Sequence, residues 1–79
     1  MRLVQTRLRL VNRRDVIKKL RLQARAAGLP FETVELKRHT AIKVGGSHHT
    51  LGRHSEIDDV TARRFWDQFA DVLGKGWWR

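Results

Sequence analysis

Two adjacent glycines, Gly45-Gly46, lie between two segments that have the features of β-strands. Apolar and polar residues alternate from 40 to 44, and a further extended segment runs from Ser47 to about Leu51. A glycine pair at such a junction supplies the positive φ angles that a tight reversal requires. The sequence therefore predicts a β-hairpin, and the remaining elements must pack against an antiparallel sheet.

The same alternation begins upstream, between Phe31 and Arg38. Val34 and Leu36 form its apolar side, and polar residues form the other side. We therefore expect three strands, at about 31–38, 40–44 and 47–51.

Helical spacing flanks the strands on both sides. Asn12 is an N-cap candidate for a first helix that Gly28 ends. Residues 53–57 are expected to form a connection, after which Asp58 caps a second helix that ends at Gly74. The apolar sides of the two helices are Val16, Ile17, Leu20, Ala24 and Ala27, and then Ala62, Phe65, Trp66, Phe69, Ala70 and Leu73.

These elements predict an α+β fold, a three-stranded antiparallel sheet with two helices on one face in the order α-β-β-β-α. The 79 residues are expected to form one domain with a thin core. Residues 1–11 add an N-terminal extended segment, either an edge strand or an arm.

The chain is strongly basic, with 17 Lys and Arg against 8 Asp and Glu and a formal charge of +9. Such a charge favours a polyanionic partner, whether nucleic acid, an acidic protein or a membrane surface. No apolar run approaches the roughly 20 residues that span a bilayer, and no signal-peptide pattern is present. Cysteine is absent, which excludes disulfides, thiolate metal sites and cysteine nucleophiles. We expect a cytoplasmic protein without a membrane partner.

Two segments resemble the HicA toxin family, small ribonucleases of bacterial toxin-antitoxin pairs. They read H-T-A-I-K-V-G-G over residues 39–46 and G-R-H-S-E-I-D-D-V-T-A-R over residues 52–63. The second matches the family's Pro-Arg-His-x-Glu-Ile stretch, with Gly52 in place of proline. The resemblance extends from about Asn12 to Leu73.

Two histidines compete for the family's other motif, Gly-(Ser/Asn)-His. Gly46-Ser47-His48 has the matching letters but lies only six residues before His54, too close for the intervening strand and turn. His39 lies fifteen residues before His54 and leaves room for both. His39 is therefore aligned with the family's catalytic histidine, although Lys37-Arg38 precedes it where the family has a glycine and a small residue.

The resemblance implies a fold like that of double-stranded-RNA-binding domains and a metal-independent endoribonuclease that needs no cofactor. His39 would be its general acid or base, a task that suits an imidazole because its unperturbed pKa is about 6.5. Lys37, Arg38, Lys43 and Arg53 would bind RNA phosphates, with His54 and Thr40 as supporting residues. The implied partners are RNA, of the mRNA class, and an acidic HicB-like antitoxin protein.

Other interpretations stay open at this point. The same fold would also serve as a non-catalytic, basic nucleic-acid-binding domain, or as a domain whose positive surface docks an acidic protein. A zinc site built from the four histidines is disfavoured because their spacing matches no familiar metal motif. Trp77 and Trp78 are expected to complete the edge of the core, with contact to a partner or to bases as alternatives.

Overall fold

A computed structural model describes residues 9–79 of the chain. In chain order its elements are β1 (Leu10–Asn12), α1 (Arg13–Ala26), β2 (Phe31–Glu35), β3 (His39–Val44), β4 (Ser47–Gly52), β5 (Glu56–Asp58), α2 (Asp59–Asp67) and α3 (Ala70–Leu73). Of the N-terminal segment expected as strand or arm, β1 contains the last two residues, and residues 1–8 lie outside the described range.

Strands β2, β3 and β4 form one antiparallel sheet in that order, which confirms the predicted α+β class and its three-stranded sheet. The register pairs Val34 with Ala41 across the first hairpin and Val44 with Ser47 across the second. Gly45 has a φ of 59°, so the reversal between β3 and β4 uses the left-handed backbone that the glycine pair predicts.

Helix α1 begins and ends at the predicted signals. The Asn12 side chain accepts a hydrogen bond from the Arg14 backbone N–H at 2.8 Å. At the other end Gly28 has a φ of 71°, and the Leu29 N–H donates to the Ala24 carbonyl at 2.9 Å. This Schellman-type closure satisfies carbonyls that the end of a helix otherwise leaves free.

The core lies between the helices and one face of the sheet. Leu20 of α1, Ile42 of β3 and Phe69 beyond α2 are each 0% exposed and belong to one apolar cluster. Truncating such side chains to alanine typically costs about 2 to 5 kcal/mol. Side chains from the helices and from the sheet thus form one interior, as the predicted packing requires.

Residues 53–57 are not a simple connection, contrary to the sequence prediction and to the plain α-β-β-β-α order. Strand β5 lies there and pairs antiparallel with β1, with Val11 opposite Ile57. Each of these strands has only three residues, too few to show a period of two, and the partner is far away in the sequence.

The second helix was also expected to run unbroken to Gly74, but α2 stops at Asp67 and α3 resumes at Ala70. Between them the Phe69 N–H donates to the Trp66 carbonyl at 3.0 Å, a tighter i to i+3 bond. This turn coincides with the burial of the Phe69 ring.

The apolar side of β2 also differs from expectation. Val34 is 37% exposed and Leu36 is 44% exposed. The residues of β2 opposite the core-facing positions Thr40, Ile42 and Val44 of β3 are Glu35, Thr33 and Phe31, whereas Val34 lies opposite Ala41 on the other face. β2 lies at an edge of the sheet, where the core does not select for apolar side chains.

Candidate functional site

The sheet has a second face, directed away from the core. Side chains alternate between faces along a strand, so His39, Ala41 and Lys43 share one face of β3 while Thr40, Ile42 and Val44 face the core. We call the outward face the open face. It is formed by Glu32, Val34, His39, Ala41, Lys43, His48, Thr50 and Gly52.

His39 is the first residue of β3 and is exposed. Lys37 and Arg38, also exposed, form the tip of the loop that joins β2 to β3. The Leu36 N–H donates to the His39 carbonyl at 2.7 Å, which closes this loop. Three of the predicted site residues therefore lie together, at what we call the loop end of the sheet (residues 36–39 and 52–54).

Arg53 reaches the same loop from the end of β4. Its Nη2 donates to the Leu36 carbonyl and, at 3.5 Å, to the His39 carbonyl, and lies 3.0 Å from Glu35 Oε1. Ion pairs this exposed are worth at most about 1 kcal/mol, so the main effect is to fix the backbone on both sides of Lys37 and Arg38. Its assignment to a substrate phosphate stays a prediction.

Thr40 supports this loop from the core side. The residue is 1% exposed, and its hydroxyl accepts a hydrogen bond from Arg13 Nη2 and donates one to Glu35 Oε1 at 2.9 Å. Arg13 Nε also donates to the Gly52 carbonyl at 2.9 Å. Helix α1 is thereby joined to β3, which carries His39, and to the neighbouring strand β4.

Lys43 is exposed on the open face but is not part of the loop-end cluster. It lies four residues from His39, which corresponds to about 13 Å along a strand. Its cross-strand neighbours are Glu32 and His48. We call this region the turn end (residues 43–48), and a phosphate bound by Lys43 would belong to a neighbouring nucleotide.

His54 follows β4 and is exposed. Its Cδ2 lies 3.7 Å from the position that a Cβ on Gly52 would occupy, so the ring packs against the glycine. It also lines a cleft together with Glu56 and Asp58. The ring is therefore at the loop end, on the open side of Gly52.

Of the two histidines in β4, His49 packs against the core. His49 faces the core side of β4, its Nε2 lies 3.1 Å from Ser47 Oγ, and its ring packs edge-on against Phe69 with centroids 4.8 Å apart. Within residues 9–79, no three His, Asp or Glu side chains gather closely enough to hold a metal ion.

The C-terminal tryptophans pack against the helices. Trp77 contacts the core cluster and its Nε1 donates to the Trp66 carbonyl at 2.8 Å. Trp78 Nε1 donates to Asp67 Oδ1 at 2.6 Å, and its ring lies beside Trp66 with centroids 5.9 Å apart. Completion of the core edge, the expected role, is confirmed for Trp77.

Sequence reasoning missed Arg13 and Glu35, which hold the loop end in place. Arg13 was one of many basic residues on α1, and Glu35 was a polar member of an alternating strand. Neither has a local signal, because both act on residues that only the folded chain brings close.

The pKa of Asp58, which lies near the site, is lowered. The Asp58 carboxylate accepts a hydrogen bond from the Thr61 backbone N–H at 2.6 Å, and this bond is the main cause that holds the pKa of Asp58 below its ordinary value. The carboxylate caps α2, which follows the loop that carries His54.

Comparisons with protein-family models, with curated proteins and with solved structures found no match to this chain. The relationship to HicA toxins therefore stays a hypothesis that rests on the two motifs.

The loop end combines one imidazole on a rigid strand, two cations on the adjoining loop and a second imidazole across a glycine. Such a set can bind a phosphodiester and move protons at its oxygens. Within the described residues, no helix has both the length and the apolar character needed to cross a membrane.

Proposed function

We propose that this protein is a HicA-like toxin, a metal-independent endoribonuclease in which His39 is a general acid or base. The observation that carries the proposal is the place of His39, exposed at the start of β3 and next to Lys37 and Arg38. A polynucleotide has access to an imidazole there, and the strand and the Arg53 contacts fix the backbone that carries it.

The proposed cleavage needs only a few further groups. Cleavage through the 2′-hydroxyl requires a group to accept its proton and positive charge to stabilise the phosphorane, and a positioned base typically contributes about 10² to 10⁴ in rate. Lys37 and Arg38 supply that charge from the loop tip. Arg53, paired with Glu35, adds charge beside the loop, and Lys43 would bind the phosphate of a neighbouring nucleotide.

The proposed fold is like that of double-stranded-RNA-binding domains. This description is supported by the order α1, β2, β3, β4, α2 that remains when the short strands β1 and β5 are set aside. The proposed substrate is RNA of the mRNA class in the cytoplasm, and an acidic HicB-like antitoxin would cover His39. The formal charge of +9 supports both acidic partners.

The test is RNA cleavage by purified protein in the presence of EDTA. We expect the wild type to cut RNA and His39→Ala, purified in the same way, to lose at least about 10²-fold in rate. Equal cleavage by both proteins would remove His39 from the mechanism. Growth arrest on induction that disappears with His39→Ala would support toxicity through cleavage.

A second candidate function, a non-catalytic nucleic-acid-binding domain, is favoured by Lys37-Arg38 at the place where the HicA family has a glycine and a small residue. Glycine there would allow closer approach of a backbone, whereas two cations strengthen binding to phosphate. This candidate predicts that RNA is bound but not cut, with an affinity that falls steeply as salt rises.

A further inference from the structure

We propose that His54 is the second proton-transfer residue of the site, the acid that protonates the leaving 5′-oxygen while His39 accepts the proton of the 2′-hydroxyl. This inference rests on the proposed function, because it gives a role to a residue in the same ribonuclease site.

His39 and His54 both lie next to Gly52. His39 and Gly52 are direct cross-strand partners, so their Cβ positions lie on the same face, about 4.5 to 5.5 Å apart. The His54 Cδ2 lies 3.7 Å from the Gly52 Cβ position. The Cβ of His39 and the ring of His54 are therefore within about 9 Å of each other.

The glycine leaves this interval open. Apart from its chain neighbours Leu51 and Arg53, a Cβ on Gly52 would meet only His54 Cδ2 within 4 Å. At the turn end, by contrast, the cross-strand neighbours of Lys43 are both large side chains, Glu32 and His48. At the loop end, therefore, no side chain of the cross-strand partner fills the space between the Cβ of His39 and the ring of His54.

Charge also distinguishes this interval. On the His39 side, Lys37 and Arg38 border it from the loop tip, and the nearest carboxylate of the loop, Glu35, lies on the other face and is bound by Arg53 and Thr40. On the His54 side, Glu56 and Asp58 line the cleft beside the ring. In this proposal an anionic phosphate lies toward Lys37 and Arg38, with an imidazole near each reacting oxygen.

The step balances without a metal or a water molecule. Neutral His39 takes the proton from the 2′-hydroxyl as the 2′-oxygen forms a bond to phosphorus. The bond from phosphorus to the 5′-oxygen breaks, and the His54 imidazolium gives its proton to that oxygen. The products are a 2′,3′-cyclic phosphate and a 5′-hydroxyl, and both exposed rings return to their starting forms by exchange with solvent.

The experiment uses the full chain and two short RNAs that differ in one atom. One has the natural 5′-oxygen at the scissile phosphate and the other has sulfur there, a leaving group that departs as a thiolate without a proton. The variants are His54→Gln, His39→Gln and, as a control on the same face, His48→Gln. Thermal unfolding of each variant checks that it folds.

We expect His54→Gln to slow cleavage of the oxygen substrate by about 10² to 10⁴ and to leave the sulfur substrate nearly unaffected. His39→Gln should slow both substrates, since the 2′-hydroxyl is the same in each. His48→Gln should change neither rate.

Two results would overturn the role of His54. His54→Gln could slow both substrates equally, which would indicate a general effect on the site, or it could slow neither. If the wild type cleaves neither substrate, the proposed function itself fails and the inference fails with it. If wild type and His39→Gln behave as expected but His54→Gln is unchanged, only this inference fails.

Discussion

The open face of the sheet carries an exposed histidine at each end, and the two ends differ in what surrounds the ring. At the loop end, the cross-strand partner of His39 is a glycine, and Lys37 and Arg38 adjoin it. At the turn end, His48 lies opposite Lys43, whose other neighbour is the carboxylate residue Glu32.

The support behind the two histidines differs as well. Behind His39, the buried Thr40 hydroxyl joins Arg13 to Glu35, and Arg53 binds the loop carbonyls. The turn end is a glycine reversal that contributes no cation of its own beyond Lys43. An exposed histidine is therefore not in itself a site. The glycine opposite His39 and the two cations next to it set the loop end apart.

The largest effect short of removing a histidine is expected from filling the space beside His39. Gly52→Val would place a side chain between His39 and His54 and push apart groups that must meet one phosphate. We expect RNA cleavage to fall by about 10- to 100-fold, a typical cost of misplacing reacting groups. The matched control is Thr50→Val, which puts the same side chain on the open face one pair further along β4. Equal rates for the two variants would contradict the proposed use of this gap.

Removing the hydroxyl behind the loop end should weaken the fold. Thr40→Val keeps the shape of the buried side chain but removes the hydroxyl to which Arg13 and Glu35 are hydrogen-bonded. We expect the free energy of unfolding to fall by about 1 to 2 kcal/mol in a urea titration. Thr50 is exposed, so Thr50→Val should change the free energy of unfolding by less than about 0.5 kcal/mol. If Thr40→Val and Thr50→Val changed the free energy of unfolding equally, the hydrogen bonds from Arg13 through Thr40 to Glu35 would contribute nothing to stability.

Charge removal should distinguish the two ends by the salt dependence of binding. In a His39→Gln background, which prevents cleavage, Lys37→Gln with Arg38→Gln should reduce the slope of log affinity against log salt. Each phosphate contact on a single strand contributes about 0.7 to that slope. Lys43→Gln should remove at most one phosphate contact and therefore reduce the slope by at most about 0.7. A slope that Lys37 and Arg38 do not change would place the RNA elsewhere.

The smallest expected effect is on the pH dependence of the unfolding temperature. Because the folded pKa of Asp58 is lowered, its cap on α2 stabilises the fold above the unfolded pKa and loses that contribution as the pH falls through the folded pKa. Asp58→Ala should therefore lower the unfolding temperature at pH 7, with a difference from wild type that vanishes in acid. Asn12→Ala removes the corresponding cap on α1, which does not titrate, and its cost should persist at low pH. Parallel behaviour of the two variants would contradict the role of the carboxylate.

Much of the fold was predictable because its signals are local. The alternation in β2 and β3, the reversal at Gly45-Gly46 and the caps at Asn12 and Asp58 each depend on residues a few positions apart. These features define the sheet, its hairpin and the starts of both helices.

The unpredicted features depend on contacts between distant residues. The pairing of β1 with β5 joins segments more than forty residues apart, and the edge position of β2 decides that Val34 is exposed. The site divides in the same way. His39 and its neighbours Lys37 and Arg38 follow from the sequence, whereas the pairing of His39 with Gly52, which brings His54 near, needs the folded chain.

The central claim is that the surroundings of His39, and not an exposed imidazole as such, make the loop end a ribonuclease site. The most direct test is the single-turnover rate of RNA cleavage in EDTA by wild type, His39→Gln and His48→Gln, each shown by thermal unfolding to be folded. We predict that His48→Gln retains the wild-type rate and that His39→Gln loses at least about 10²-fold. Equal loss in both variants, or loss in His48→Gln alone, would contradict this account.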